Sequence, residues 1–426
     1  MPRRAQVVGG GVAGLVAAWR LAQSGWRVEL CERQPHPGGL LAQRRVDGVP
    51  CDLGAHRLHP AALRVPALAA LAEHVPMSAR PRTGRIVLRG RHLAYPPSPW
   101  DLARGLGPVQ GARFALGFAL APRWRVADGG EDDLGFAAFV RARVGEAAYN
   151  AFYAPYARKV WGLDPAELSQ TCAKQRVSAA APWRLVQQPV SRPGFLVPVG
   201  GFNALVAALI ARCERAGVEL RYGCAAAPST DADGVVYSGH LGDLAPDLDL
   251  GHRGLHLLWL AVHGPPLDDV DTWYCPEQEF AFGRVTQVAH FTDRPLDPPL
   301  LCVEIPQGGG APDQPWHTRL DVLATQLSAA RILPCGARVE LRDRAWLPRV
   351  YPLHRRGWRD RWQLALRRTT ADGRTVPVGR QGLWLHCNLD HAMHTADEAA
   401  RWLAVGGDPR HWPERALSFI GLQVRD

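Results

Sequence analysis

The pattern of apolar and polar residues is most regular at the start of the chain. Residues 5–8, three of them apolar, have the pattern of a buried strand, and residues 26–31, in which apolar residues alternate with Arg27 and Glu29, have the pattern of a second strand. Between them, residues 12–23 carry small or apolar side chains at helical spacing, and Gly25 follows as a typical helix stop. The pattern predicts a strand, a helix and a second parallel strand within about 30 residues.

The loop between the first strand and the helix reads Gly-Gly-Gly-Val-Ala-Gly at positions 9–14. In such a loop Gly9 permits a tight turn, Gly11 lets the backbone approach a pyrophosphate, and Gly14 lets the helix pack closely on the sheet. The positive dipole end of the helix then favours phosphate. Glu32 ends the second strand, where a carboxylate can accept hydrogen bonds from ribose hydroxyls. These features together predict a dinucleotide-binding unit.

Two glycine-containing segments follow this unit. Arg33 precedes a Gly-Gly-Leu segment at 38–40, and an Asp-Leu-Gly-Ala-His-Arg turn occupies 52–57. An acidic residue, a Gly-Gly pair and such a turn, in this order, resemble the FAD-binding signature of the flavin amine oxidase and protoporphyrinogen oxidase superfamily, whose wider group includes the UDP-galactopyranose mutases. The resemblance implies FAD as the cofactor, with residues 38–39 closing over it and the 54–57 turn near its flavin end.

The resemblance extends along nearly the whole chain. Residues 90–96, 152–162 and 173–176 are similar to the cap region of bacterial protoporphyrinogen-oxidase-like proteins, and residues 195–202 are similar to the segment that leads back into the FAD domain. Residues 378–394 resemble the last strand and final helix, whose N-terminus lies against the flavin ring in the family. The cofactor-binding residues implied by the resemblance are Gly9, Gly11, Gly14, Glu32, Arg33, Gly38, Gly39, Leu40, Gly54, His56, Arg57, Gly379, Arg380, Asp390, His391 and Ala392.

The implied fold is of the α/β class, with a discontinuous Rossmann-type FAD-binding domain and a second, mixed-sheet substrate domain with a helical cap. Segments 1–60, 195–240 and 371–426 are expected to form the FAD-binding domain. Segment 61–194 is expected to form the helical cap, and segment 241–370 the mixed-sheet substrate domain.

Two features differ from the amine-oxidase relatives. The chain between Tyr222 and Val235 is too short for the β-meander that relatives usually carry there, so we expect a truncated sheet. Relatives also commonly keep a lysine that holds a water near the flavin N5, whereas this chain has no lysine after Lys174. An amine-oxidase mechanism that uses such a lysine is therefore not favoured.

Four residues are candidates for the reaction itself. Arg284 lies in an expected strand pair, and its guanidinium could hold a carboxylate or phosphate through two hydrogen bonds, although a structural salt bridge is an equal alternative. Tyr351 could face substrate or pack in the core. His56 and His391 are candidate acids or bases beside the flavin, because histidine titrates near neutral pH.

Composition narrows the class of protein. The net charge of +10 arises almost wholly from arginine, because Lys159 and Lys174 are the only lysines, and no nucleic-acid-binding motif accompanies it. The nine cysteines are scattered without the spacing of a zinc site, and a metal at His391 and His394 would need a further convergent ligand, so no metal is expected. The sequence shows no signal peptide or transmembrane segment, and we expect a cytoplasmic protein.

These observations favour an FAD-dependent oxidoreductase that dehydrogenates a small biosynthetic intermediate, with anionic and sugar-nucleotide-linked molecules among the candidate substrates. Two alternatives stay open. One is a non-redox flavin isomerase like the UDP-galactopyranose mutases, and the other is a non-catalytic flavin-binding partner subunit. The sequence does not indicate the oligomeric state.

Overall fold

The architecture is described from a computed structural model. The structure describes residues 2–95, 105–121, 134–174, 194–292, 295–308 and 315–422. Residues Pro96, Gln175 and Arg176 of the cap resemblance lie outside these ranges. The strands are β1 Arg4–Val8, β2 Arg27–Glu32, β3 Arg44–Val46, β4 Val49–Cys51, β5 Met77–Arg80, β6 Arg85–Leu88, β7 Arg91–Ala94, β8 Phe195–Pro198, β9 Glu219–Tyr222, β10 Gly234–Tyr237, β11 His252–His263, β12 Thr272–Tyr274, β13 Arg284–Gln287, β14 Leu300–Gly308, β15 Arg338–Pro352 and β16 Thr375–Pro377.

Helices cover both sheets and form the cap. They are α1 Val12–Gln23, α2 Pro66–Ala72, α3 Pro108–Leu120, α4 Gly135–Ala148, α5 Ala154–Trp161, α6 Gln170–Lys174, α7 Asn203–Arg215, α8 Leu241–Leu244, α9 Leu320–Ala329, α10 Trp358–Thr370, α11 Gly379–Gly382, α12 Leu389–Ala404 and α13 Trp412–Ala416. None of the helices in the described ranges is both long and apolar enough to cross a lipid bilayer.

The first sheet is wholly parallel and has the strand order β16-β10-β1-β2-β9. Half or more of the residues in strands β1 and β2 are buried, as expected where helices cover both faces of a parallel sheet. Helix α1 connects them and packs against α7 and α12. The strand-helix-strand unit predicted from the apolar pattern is therefore confirmed, and α1 has the predicted bounds.

The second sheet has seven strands in the order β15-β11-β14-β13-β12-β6-β7. Its neighbours pair antiparallel except for β12 and β6, which pair parallel. The expected strand pair around Arg284 is present as β12 and β13. Because β6 and β7 come from segment 61–194, that segment contributes strands to the substrate sheet as well as cap helices.

The cap helices α4, α5 and α6 bury a hydrophobic cluster of their own. Helix α5 ends at Gly162, whose φ of 66° is the left-handed conformation that suits a glycine C-cap. Tyr351 and Leu353, at the end of β15, pack against this cluster and connect the cap to the substrate sheet. The cap and the two sheets therefore enclose a common interior.

We predict that Leu15→Ala lowers the free energy of unfolding by about 2–5 kcal/mol, because it opens a cavity in a rigid core. Leu15 is fully buried in the core cluster around the first sheet. Leu116→Ala is the matched control, since Leu116 is 60% exposed on α3 and should change stability by less than about 0.5 kcal/mol. Urea denaturation of the three proteins checks this, and equal losses would show that the first sheet lacks the close packing described.

Candidate cofactor and substrate site

Two cavities meet inside the molecule. A cavity of about 440 Å³ lies at the carboxyl ends of β1, β2 and β10, which is where open parallel sheets bind ligands. A cavity of about 230 Å³ lies between the second sheet and the cap. We call them the cofactor cavity and the substrate cavity. Five residues line both of them, namely Leu40, His56, Arg380, Asn388 and Leu389.

The glycine loop forms one wall of the cofactor cavity from backbone alone. Gly9 has a φ of +100°, which side-chain-bearing residues rarely adopt, and a Cβ on Gly14 would lie 1.9 Å from the carbonyl oxygen of Gly9. Helix α1 begins at Val12 with no side-chain cap on its first N–H groups. These N–H groups therefore lie at the end of the helix that borders the cofactor cavity, where a phosphate can accept hydrogen bonds from them.

The second glycine pair lies across the loop. The Gly38 N–H group donates to the carbonyl oxygen of Gly10 at 2.8 Å, and a Cβ on Gly39 would lie 3.2 Å from the Cα of Gly11. Both Gly38 and Gly39 have positive φ values. The two segments are therefore in backbone contact, and Gly9, Gly11, Gly38, Gly39 and the following Leu40 all line the cofactor cavity.

The acidic end of β2 lies beside the glycine loop. Glu32 accepts hydrogen bonds from the N–H groups of Gly10 at 2.6 Å and Gln34 at 2.7 Å, which fix its carboxylate at the cavity wall. Arg33 lines the same region. No strand lies between Tyr222 and Gly234, so the expected truncation is present, and residues 224–226 line the cavity directly.

The C-terminal segment supplies the wall where the two cavities meet. Gly379 and Ala392 line the cofactor cavity, and Arg380 lines both. The Arg380 Nε atom donates to the carbonyl oxygen of Cys387 at 3.0 Å, and its Nη1 atom donates to that of Val350 at 3.4 Å. Backbone carbonyls thus hold the guanidinium at the junction.

Four of the expected site residues lie behind the cavity walls instead of on them. The lining of neither cavity includes Gly14, Gly54, Asp390 or His391. The His391 Nδ1 atom accepts a hydrogen bond from the N–H group of Asn388 at 3.4 Å, which closes the first turn of α12. This capping contact accounts for the Nδ1 atom of His391, and its expected catalytic role stays a prediction.

Aromatic side chains are a large part of the substrate cavity wall. They come from the cap, from strand ends and from loops beside the first sheet, and they are Tyr95, Phe136, Phe152, Tyr153, Tyr156, Trp161, Phe202, Tyr274 and Tyr351. The rings of Phe152 and Tyr156 are stacked with centroids 5.5 Å apart, and those of Tyr95 and Tyr274 lie 4.3 Å apart. Of this set, the sequence singled out Tyr351 as a substrate contact.

Arg284 lines the substrate cavity as part of an ion pair. Its Nε and Nη2 atoms donate to the two carboxylate oxygens of Glu304 at 2.8 and 2.7 Å. The Glu304 side chain is 3% exposed, whereas that of Arg284 is 24% exposed. Burial alone would lower the pKa of Arg284, but Glu304 outweighs it and the pKa is raised well above its usual value. Gly54 packs on the pair, since a Cβ there would lie 3.1 Å from a Glu304 oxygen.

Arg57 connects the 52–57 turn to the second sheet. Its Nη2 atom donates to Asp271 Oδ1 and Thr272 Oγ1, both at 2.6 Å, and its Nη1 atom donates to the Tyr274 hydroxyl at 3.1 Å. Asp271 is fully buried. The Asp271 partner could not be anticipated from sequence, because it lies 214 residues away along the chain.

His56 occupies the junction as a neutral imidazole. Burial, together with the positive charges of Arg284 and Arg380, lowers the pKa of His56 to about 3. Its ring packs against Phe202 with centroids 5.5 Å apart. Within the described residues its Nδ1 atom is buried without a hydrogen-bond partner, which fits a residue whose partner is a bound molecule.

The histidines at the C-terminal end do not assemble as a group. His386 meets Cys172 and His354 instead, and the candidate ligand atoms of these three buried residues lie within 4.8 Å of one another. They form the only such group found among the described residues. None of the three lines either cavity, and the ring of His394 packs against Phe419.

Comparison with known proteins agrees with this geometry. A family model described as an NAD(P)-binding Rossmann-like domain matches residues 7–72. The chain is 32% identical over 183 residues to a protein of Mycobacterium tuberculosis described as a flavin-containing monoamine oxidase. That match spans 41% of this chain and 40% of the relative, so the chain spans well under half the length of the relative it matches.

Two solved structures are similar over almost the full length. A reduced UDP-galactopyranose mutase has a TM-score of 0.79 and 19% identity, with 98% of each chain covered. A protein from Exiguobacterium described as a protoporphyrinogen oxidase has a TM-score of 0.71 and 15% identity, with 95% of this chain and 99% of that chain covered. The chain therefore has the Rossmann-type fold of this oxidase and mutase group, and the resemblance predicted from its sequence is confirmed.

Proposed function

We propose that the chain is an FAD-dependent oxidoreductase that oxidises a small, non-cationic biosynthetic intermediate. One observation carries the proposal: the cofactor cavity and the substrate cavity share the lining residues Leu40, His56, Arg380, Asn388 and Leu389. A group that extends from the glycine loop to this junction can exchange electrons with a molecule in the second cavity. The similar proteins described as oxidases support the same reaction class.

The residues present fit a flavin dinucleotide. The glycine loop leaves a backbone cradle that a Cβ would fill, and the uncapped start of α1 offers N–H groups to phosphate. Glu32 would accept hydrogen bonds from the ribose, Gly38 and Gly39 would cover the pyrophosphate, and the junction residues would surround the flavin end. When bound, FAD would supply the redox chemistry by accepting a hydride.

The chain's own groups would orient the substrate and control charge at the junction. The guanidinium of Arg380, fixed by backbone carbonyls, would favour negative charge that develops there. Because its pKa is about 3, His56 stays neutral at physiological pH and would act through a hydrogen bond and not through charge. Tyr351 lines the substrate cavity and would face the substrate from β15.

The charges around the substrate cavity argue against an amine substrate. Its lining includes Arg57, Arg284 and Arg380 but a single carboxylate, Glu304, which already forms two hydrogen bonds with Arg284. A substrate ammonium group would meet repulsion without a carboxylate to accept it. The aromatic rings, and the absence of a carboxylate other than Glu304 from the described lining residues, suit a neutral or anionic molecule with a flat or unsaturated part.

The first experiment is the visible spectrum of the purified protein under anaerobic conditions, with amines, sugar nucleotides and fractionated cell extract added in turn. Bleaching of a flavin band by a non-amine compound supports the proposal. Conversion of a sugar nucleotide only after chemical reduction of the flavin would assign the isomerase reaction instead. No bleaching and no conversion in either state would indicate a non-catalytic flavin-binding subunit.

We predict that Glu32→Ala weakens FAD binding by about tenfold or more, because hydrogen bonds from the ribose hydroxyls to a charged acceptor are lost. Glu29→Ala is the matched control, since Glu29 lies on the same strand and pairs with the exposed Arg221 outside the cavity. FAD titration of both apoproteins measures the effect. Equal affinities would contradict the placement of the ribose beside Glu32.

We predict that the double variant Arg284→Ala with Glu304→Ala still binds FAD. Its affinity for an anionic substrate should fall by about tenfold or more, because a charge-assisted contact is removed. The double change avoids leaving Glu304 buried without its partner. Glu304→Gln alone keeps the cation and should keep or increase the affinity. Calorimetric titration with the substrate from the spectral screen checks this, and unchanged affinity in the double variant would make the pair structural.

We predict that protein stability falls with acidity because of His56. Its pKa is about 3 in the folded protein against an ordinary value of 6.5, so the unfolded chain binds more protons between these pH values. Stability should therefore decline as pH falls below about 6.5, by at most about 1.4 kcal/mol per pH unit from this group. Urea denaturation should show a shallower decline in His56→Gln, and no such change in the exposed control His411→Gln.

A further inference from the structure

The ammonium group of Lys159 lies in a site made of three backbone carbonyls. Lys159 is 7% exposed, and its Nζ atom donates to the carbonyl oxygens of Cys275 at 2.8 Å, of Phe282 at 3.1 Å, and of Glu277. All three acceptors belong to the loop between β12 and β13. The Phe280 ring centroid, on the same loop, lies 6.0 Å from the Nζ atom. One side chain of the cap thus donates hydrogen bonds to carbonyl oxygens at both ends of a loop of the second sheet.

That loop is flanked by two residues of the substrate cavity wall. Tyr274 precedes Cys275 directly, and Arg284 follows Phe282 by two positions. The ends of the loop are joined by a hydrogen bond from the Cys275 N–H group to the carbonyl oxygen of Gly283 at 2.9 Å. Movement of the loop away from Lys159 would therefore carry both wall residues with it.

Helix α5 carries the facing wall. Tyr156 and Trp161 of this helix both line the substrate cavity, within one turn of Lys159 on either side. The ring of Tyr156 meets that of Tyr274 edge to face, with centroids 6.4 Å apart. The hydrogen bonds of the Lys159 ammonium group thus join helix α5 to the loop between β12 and β13, next to the point where the rings of Tyr156 and Tyr274 meet.

We propose that Lys159 is a positioning residue that holds helix α5 against the 275–283 loop and thereby sets the closed form of the substrate cavity. The role rests on the proposed function, because it concerns the same cavity, but it adds a residue that touches neither cavity itself. A compact ammonium with three N–H groups matches three carbonyls, whereas the planar guanidinium of arginine does not.

Composition and burial both support a specific requirement for lysine. The chain has 50 lysine and arginine residues, of which Lys159 and Lys174 are the only lysines, so a cation without a geometric requirement would be expected to be arginine. Burial lowers the pKa of Lys159 to about 8, although Cys275, Glu277 and Glu279 act in the opposite direction. Burial therefore destabilises the charged form of Lys159, and the hydrogen bonds to the three carbonyl oxygens offset this desolvation penalty.

The test measures access to bound flavin in the holoprotein, with iodide as the probe and quenching of flavin fluorescence as the readout. Lys159→Met keeps the apolar stem but loses the ammonium group, and we expect it to increase the quenching constant several-fold. Lys159→Arg should not restore protection. Arg158→Met is the matched control, since Arg158 lies on the same helix in an exposed ion pair with Asp164, and it should match the wild type.

Once a substrate is identified, Lys159→Met should raise KM by about tenfold while kcat changes much less, because the reacting groups are retained and their spacing is altered. A folded, flavin-loaded Lys159→Met protein with wild-type quenching and wild-type KM would overturn the proposal. So would an equal increase in quenching for Arg158→Met.

A second measurement covers the case in which the variant does not fold. Acetic anhydride is applied to the wild-type protein, and acetylation of Lys159 is followed by peptide mass spectrometry against the same peptide in urea-unfolded protein. We expect strong protection in the native protein, whether or not flavin is bound. Acetylation as fast as in the unfolded chain would overturn the proposal, whereas protein without flavin but with protected Lys159 would contradict the proposed function alone.

Discussion

The close approach of backbone segments at glycine positions is the constraint on which the rest of the structure depends. A Cβ on Gly14 would lie 1.9 Å from the Gly9 carbonyl oxygen, one on Gly379 would lie 2.7 Å from the Ala13 Cβ, and one on Gly382 would lie 2.4 Å from the Tyr237 carbonyl oxygen. The start of α1, the end of β10 and the segment before α12 can therefore converge only without side chains. This convergence forms the cofactor cavity from three parts of the chain that are far apart in sequence.

Two ion pairs connect the 52–57 turn to the second sheet. The pair Arg57–Asp271 and the pair Arg284–Glu304 each place a nearly or fully buried carboxylate under a wall of the substrate cavity. The Ala55 N–H group also donates to Glu304 at 3.3 Å, so the 52–57 turn is held by both pairs. Each carboxylate would be strongly destabilising without its arginine, so the pairs restrict the turn to one position relative to the sheet. His56, which lies within this turn, is placed at the cavity junction as a consequence.

The parts of the fold that could be predicted from sequence are those in which neighbouring residues determine the structure. Helix α1 and its two strands follow from apolar periodicity. The closure of the Gly38–Gly39 segment over the glycine loop follows from the sequence motif that contains both. The partners of Arg57 and Arg284 could not be predicted, because a salt bridge between distant segments leaves no periodic trace in the sequence. Most of the aromatic cavity wall was missed for the same reason, since its members come from separate strands, loops and cap helices.

His391 illustrates the limit of inference from position along a helix. The sequence placed it correctly at the start of the last helix, yet two competing uses of an imidazole there, contact with a ligand and closure of the first turn, are indistinguishable from sequence alone. The structure shows closure of the first turn, through the hydrogen bond from the Asn388 N–H group to Nδ1, and contact with a ligand stays a prediction. The neighbouring Asn388 and Leu389 line both cavities instead.

The two cavities differ in what their walls are made of, and this difference bears on how reactions diverge within one fold. The cofactor cavity has one wall made of backbone at glycines, where a Cβ would collide with neighbouring backbone. The substrate cavity is lined mostly by side chains from the cap, the second sheet and the loops beside the first sheet. Structures that share this fold with the chain at 15% and 19% identity are accordingly described as an oxidase and a mutase. Under the proposed function, we therefore expect the choice of substrate to depend on the arginines, the aromatic rings and Lys159 around the second cavity more than on the glycine loop.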